Sequence, residues 1–197
     1  LLGSIDNEGN TNLAIFSSIT HMGSDPAMIG FILRPRTVPR NTYNNLFRTG
    51  YFTVNHINIG DIEDAHHTSA KYPKEISEFD KTKFEPEFLD NFKAPFVKSS
   101  KIKFGCKYLN EYDIKENNTI LIVASIECLY VDKNSLQTDG WTGLDKAETV
   151  TINGLDGYAK TDLINRFKYA RPKKWKILSI KKFLNMSKIK HQMNKKF

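Results

Sequence analysis

The sequence predicts a mainly β protein, an antiparallel barrel or sandwich with peripheral helices. Three observations carry this. Apolar segments of strand length recur at Ala27–Leu33, Tyr51–Ile57, Lys101–Tyr112 and Thr119–Val131. Turn-forming clusters such as DNEGNTN (Asp6–Asn12) and DIKENN (Asp113–Asn118) punctuate the chain. No strand–helix–strand rhythm of the kind that builds a parallel sheet is present. A chain of 197 residues, 40% of them hydrophobic, can bury a full core.

Leu1–Ile5 reads as the end of a strand, followed by a tight polar turn. The opening LLGSID has no basic leader with a cleavage pattern and looks like a strand entered partway. Native residues are therefore expected before Leu1, and a cytoplasmic location for the protein. Ala27–Leu33 is the clearest early strand, and Pro35 and Pro39 stiffen its exit. Asn41 or Thr42 is placed to cap a short helix that ends at Gly50. Tyr51–Ile57 sets Phe52 and Val54 on one face and Thr53 and Asn55 on the other. Asp61 is placed to cap a second short helix, Asp61–Ser69.

Tyr72–Lys98 holds Pro73, Pro86, Pro95 and many aromatics, and reads as a long wrapping connection. In Lys101–Tyr112, Ile102, Phe104, Cys106 and Tyr108 alternate with Lys101, Lys103, Gly105 and Lys107, the pattern of a strand with one wet face. Thr119–Val131 is apolar on both parities through Ile120–Ala124, which predicts a central strand or one that wraps a barrel. Beyond it, Thr149–Ile152 reads as a short strand and Lys160–Phe167 as a helix. Ile177, Ile180, Phe183 and Leu184 give Trp175–Ile189 the spacing of an amphipathic helix.

The formal charge of +7 is unevenly placed. Residues 171–197 hold ten Lys or Arg and no acidic residue, whereas residues 1–170 hold nineteen basic and twenty-two acidic residues. The positive excess thus belongs to the tail and is not a basic surface spread over the fold. Unspecific nucleic-acid attraction, membrane-surface contact and a docked structural helix all suit such a tail. The third is the expected one, because no sequence-reading motif accompanies the lysines. No apolar run approaches membrane-spanning length. Cys106 and Cys128 lie in apolar alternating stretches and are expected as small buried side chains, although their spacing leaves a bridge open.

GxGxxG, Walker, GxSxG and HExxH patterns are all missing, so a Rossmann site and the common serine-hydrolase and zinc-protease sites lose their sequence support. His66 and His67 are adjacent and would diverge on a helix, which makes them a poor metal pair. The chemistry-bearing stretch is Asn12–Asn58. Asn12, Ser17, Ser18 and Thr20 precede the strand Ala27–Leu33, and Arg34, Arg36, Arg40, Thr42 and Asn45 follow it. Neutral donors on one side and cationic forks on the other suit a ligand with a flat polar ring and an anionic phosphate. An ordinary polar loop beside an edge strand has the same composition.

Eight pieces, in order, give the chain a family likeness: SIDNEGNTNLAIFSS, MIGFILRPR, NTYNNLFRTGYFTVNHIN, AHHTSAKYPKEISEFD, APFVKSSKIKFGCKY, TILIVASIECLYVD, GLDGY and YARP. Their order and spacing resemble the flavin reductase-like family. The resemblance covers nearly all of residues 1–172 and leaves 173–197 as a lysine-rich appendage. It implies an antiparallel Greek-key split β-barrel, FMN ahead of FAD as cofactor, NADH or NADPH as electron donor, and a homodimer that passes electrons to small-molecule or protein partners. It places Asn12, Ser17, Ser18 and Ile19 beside the flavin ring and ribityl chain. Arg34, Arg36, Thr42 and Asn45 fall where the phosphate is held or its loop shaped, with Asn55 and His56 near the pocket. His66, Ser69 and Lys71 belong to a segment that closes over or beside the flavin.

Overall fold

The computed structural model describes residues 1–172 except 38, 39 and 74. The chain divides into two units, Leu1–Leu163 and Ile164–Phe197. The expected helix at Trp175–Ile189 lies outside the described residues.

The first unit carries β1 (Leu2–Ile5), β2 (Thr11–Ala14), β3 (Thr20–Ser24), β4 (Ala27–Leu33), α1 (Asn41–Thr49), β5 (Tyr51–Asn55) and α2 (Ile62–His67). Then follow β6 (Pro86–Glu87), β7 (Phe96–Val97), β8 (Ile102–Ile114), β9 (Thr119–Val131), β10 (Val150–Asn153) and β11 (Gly157–Lys160). Seven strands form one antiparallel sheet in the order β2-β1-β5-β8-β9-β4-β3. The chain's first two hairpins thus lie at opposite ends of the sheet, with the long β8–β9 hairpin between them. As its unbroken apolar run requires, β9 is internal, flanked by β8 and β4.

Two hydrophobic clusters flank this framework. One joins Leu2, Phe31, Leu33, Phe52, Cys106 and Ile122 from the sheet to Tyr43 and Leu46 of α1. The other gathers Leu1, Leu13, Ile57, Ala65, Phe79 and Val97. Helix α1 stops where the sequence placed its end: Gly50 adopts φ 76° and its N–H reaches the Leu46 carbonyl at 2.9 Å.

Two local expectations fail for physical reasons. Lys103 is only 8% exposed. Residues of β6, β7 and the position after β7 meet it: its ammonium donates to Glu87 Oε2 at 2.7 Å and to the Val97 and Lys98 carbonyls. No helix occupies Lys160–Phe167: β11 takes Lys160, and residues 161–172 form neither helix nor strand. Its apolar side chains Leu163, Ile164 and Phe167 are exposed, so the burial that stabilises most short helices is lacking. Strand β3 was not foreseen, because THMGS carries little apolar signal and lies at the sheet edge.

Both cysteines are free, with Cys106 fully buried and Cys128 half-buried. Burial pushes the Cys106 thiol well above its ordinary pKa. Cys106→Ser is expected to lower stability by about 1–3 kcal/mol, the cost of burying a hydroxyl without a partner. An unchanged thermal melt would contradict this.

Candidate functional site at the start of helix α1

Helix α1 is fixed to the sheet by its own polar residues. Tyr43 and Leu46 turn into the core, while Asn45 Nδ2 donates to Ser4 Oγ at 3.1 Å. Asn12 Nδ2, from β2, donates to Thr42 Oγ1 at 3.0 Å. All four of these polar residues are buried, so a small displacement of the helix would break bonds that water cannot replace.

Thr42 is not the cap that the sequence suggested. The capping position is Arg40, in extended geometry (φ −126°, ψ 93°), and no side chain closes the helix start. The N–H groups of Asn41, Thr42 and Tyr43 therefore have no intrahelical acceptor. Because its oxygen accepts from Asn12, the Thr42 hydroxyl keeps its own proton for donation.

Two arginines lie at this helix start, Arg40 at its capping position and Arg36 on Tyr43. Arg34 is exposed. Arg40 Nε is buried and has no hydrogen-bond partner among the described residues. A buried guanidinium N–H without an acceptor is unfavourable unless an anion completes it. Arg36 is engaged differently: its Nη1 donates to Tyr43 Oη at 2.7 Å, and its Cζ lies 4.9 Å from the Tyr43 ring centroid. Tyr43 in turn donates to Glu111 Oε1 at 3.1 Å. Donor-rich backbone, a neutral hydroxyl and an incomplete guanidinium together suit a phosphate-sized anion.

The flavin reductase-like domain model matches residues 1–146. The chain belongs to the flavin reductase-like family. A Shewanella frigidimarina protein assigned as a flavin reductase with a split barrel domain is 44% identical, with TM-score 0.82 over 86% of this chain and 84% of that one. The nitrilotriacetate monooxygenase component B of Bacillus cereus shares the fold at 20% identity, with TM-score 0.74 over 85% of this chain and 84% of that one. So does the flavoredoxin of Desulfovibrio vulgaris, at 18% identity, with TM-score 0.75 over 86% of this chain and 89% of that one. An uncharacterized Aquifex aeolicus protein is 28% identical over 138 residues, 68% of this chain and 70% of its own. The mainly β sheet with peripheral helices is thus the split-barrel fold of the flavin reductase-like family.

Within this flavin reductase-like domain the remaining sequence candidates separate into groups. Ser17 is exposed and Ile19 packs against the first core cluster. Ser18 Oγ both donates to the Ile32 carbonyl and accepts from the Ile32 N–H, at 3.1 Å each, so it stitches the donor segment to β4. Asn55 is 1% exposed and belongs to the scaffold: its amide donates to Thr53 Oγ1 and accepts from the Val97 N–H. His66 Nδ1 lies 3.0 Å from the Tyr158 hydroxyl of β11, and Ser69 and Lys71 are exposed. Among the described residues, no hydrogen bond links the His66, Ser69 or Lys71 side chains to α1. Arg40 stood in the polar stretch, but nothing in the sequence marked its buried nitrogen.

His56 Nδ1 sits 3.4 Å from Thr149 Oγ1, and its ring meets Phe104 edge-on. Burial lowers its pKa from 6.5 to about 4. The unfolded chain therefore takes up a proton that the folded chain refuses, and stability falls as pH drops from 6.5 towards 4. His56→Gln should flatten urea-measured stability in that window, and an unchanged pH slope would remove His56 as the cause. No group of three or more His, Cys, Asp or Glu among the described residues could hold a metal ion. No helix among them is long and apolar enough to cross a membrane.

Proposed function

We propose that the chain binds FMN, with the phosphate at the start of α1, and acts as an NAD(P)H-dependent flavin reductase. The observation that carries this reading is the Arg40 Nε left without an acceptor beside an uncapped helix start. Arg34 and Arg40 supply charge there, Thr42 a hydroxyl proton, and the first-turn N–H groups the dipole end of the helix. Asn12 acts through Thr42, whose oxygen it fixes. Asn45 acts through the helix, which it ties to Ser4. Ser18 holds the Ser17–Ile19 segment on β4, where the ring-facing groups are expected.

A flavin held there would supply the redox chemistry, that of hydride acceptance and onward electron transfer. The protein binds, orients and shields it; these contacts contribute mainly affinity and position. Such a division of labour requires no acid–base dyad, in keeping with the scattered histidines. Anaerobic mixing of the FMN-loaded protein with NADH or NADPH tests the activity. Bleaching of the flavin absorbance at a catalytic rate is expected with at least one donor. Bound FMN that stays oxidised with both would overturn the reductase assignment and leave a flavin-binding electron carrier, the role that the name of the flavoredoxin relative suggests.

A further inference from the structure

Glu111 lies on β8, outside every polar stretch that the sequence singled out. Its two carboxylate oxygens accept from two tyrosines: Oε1 from Tyr43 at 3.1 Å and Oε2 from Tyr108 at 3.2 Å. An ionised carboxylate can only accept, so both phenolic protons point towards it. That choice leaves the Tyr43 oxygen with lone pairs facing outward, and Arg36 Nη1 donates to it at 2.7 Å. The donor-acceptor order therefore runs from guanidinium to phenol to carboxylate, each bond polarising the next. Phe47 completes the cluster, stacked on Tyr43 at 5.8 Å and edge-on to Tyr108 at 6.3 Å.

We propose that Glu111 is a positioning residue for the anion-holding loop, acting through Tyr43 on Arg36. The inference rests on the FMN reading for its consequence, but the relay itself is a property of the protein without ligand. Arg36 sits in the short connection between β4 and α1, between Arg34 and Arg40. Anchoring its guanidinium ties Arg36 through Tyr43 to β8, two residues after Arg34 and four before Arg40, and so limits the positions that these two arginines can sample. Arg36 thus contributes as an anchor of the loop, and the phosphate is left to Arg34, Arg40 and the start of α1. Both tyrosines have raised pKa values, Tyr108 to about 12, through burial and the Glu111 charge. They stay protonated, as the relay requires, throughout the neutral range.

The test compares wild type, Tyr43→Phe, Glu111→Ala and the double variant. Tyr43→Phe keeps the ring beneath Arg36 and removes only the hydroxyl. FMN and riboflavin affinities are measured by flavin fluorescence, and trypsin cleavage of the ligand-free chains is followed at the Arg36–Thr37 bond. Each single variant should weaken FMN about threefold to tenfold, the range for one lost hydrogen bond, and leave riboflavin within about twofold. The double variant should be no worse than Tyr43→Phe, since the relay passes through that hydroxyl. Cleavage after Arg36 should be faster in all three variants, by more than any change in global stability read by urea unfolding accounts for. Equal losses for FMN and riboflavin, additive losses, or wild-type cleavage rates in Glu111→Ala would each overturn the proposal. If wild type binds neither flavin, the functional reading fails while the cleavage arm still decides whether the relay holds the loop.

Discussion

Phe31→Ala is expected to lower the unfolding free energy by about 4 kcal/mol, within the range for removing a buried phenylalanine. Phe31 is fully buried at the middle of β4, a strand paired to β9 on one side and β3 on the other. Its ring meets Phe16 edge-on at 5.1 Å and Phe52 edge-on at 5.6 Å. The mutation therefore removes dispersion contacts to two aromatic rings and leaves a cavity that strands on both sides cannot collapse to fill. Phe16 immediately precedes Ser17 and Ser18, so the same cavity loosens the donor segment beside the site. Phe31→Leu keeps most of the volume and should cost much less, about 1–1.5 kcal/mol. Urea unfolding of the three proteins reads these differences directly; a loss below about 1 kcal/mol for Phe31→Ala would contradict the packing described.

Arg40→Ala is expected to weaken FMN by about tenfold or more, as removal of a charged hydrogen-bond donor typically costs ~1.5–3 kcal/mol. Riboflavin, which lacks the phosphate, should bind the variant and wild type equally. Stability should not fall. Arg40 occupies the helix-capping position without supplying an acceptor, and its buried Nε has no partner to lose. A pure scaffold residue would behave in the opposite way, with lowered stability and equal losses for both flavins. Arg48→Ala, in the last turn of the same helix, serves as the charge-matched control and should leave FMN affinity within about twofold.

Much of the frame was legible because strand burial writes itself into the sequence. Ala27–Leu33 and Thr119–Val131 match β4 and β9 residue for residue, since both carry apolar runs with sharp polar borders. Gly50 marked the end of α1, as the left-handed conformation there favours glycine. Elements that depend on long-range partners were not legible. Lys103 alternates like a wet residue and becomes buried only because Glu87 and two carbonyls come to meet it. The polar stretch at Asn12–Asn58 was visible as composition, but the division of its members was not. Asn55 reads like a ligand donor and serves the scaffold, whereas Arg40 differs from its neighbouring arginines only through a nitrogen that folding buries. Glu111 carried no signal of this role, because Tyr43, through which it reaches Arg36, is distant in sequence.

The visible absorption spectrum of the protein after incubation with FMN and gel filtration tests the central claim most directly. The account predicts flavin bands that travel with the protein peak at one FMN per chain, displaced from those of free FMN. A colourless protein peak, with all the FMN in the small-molecule fraction, would contradict it.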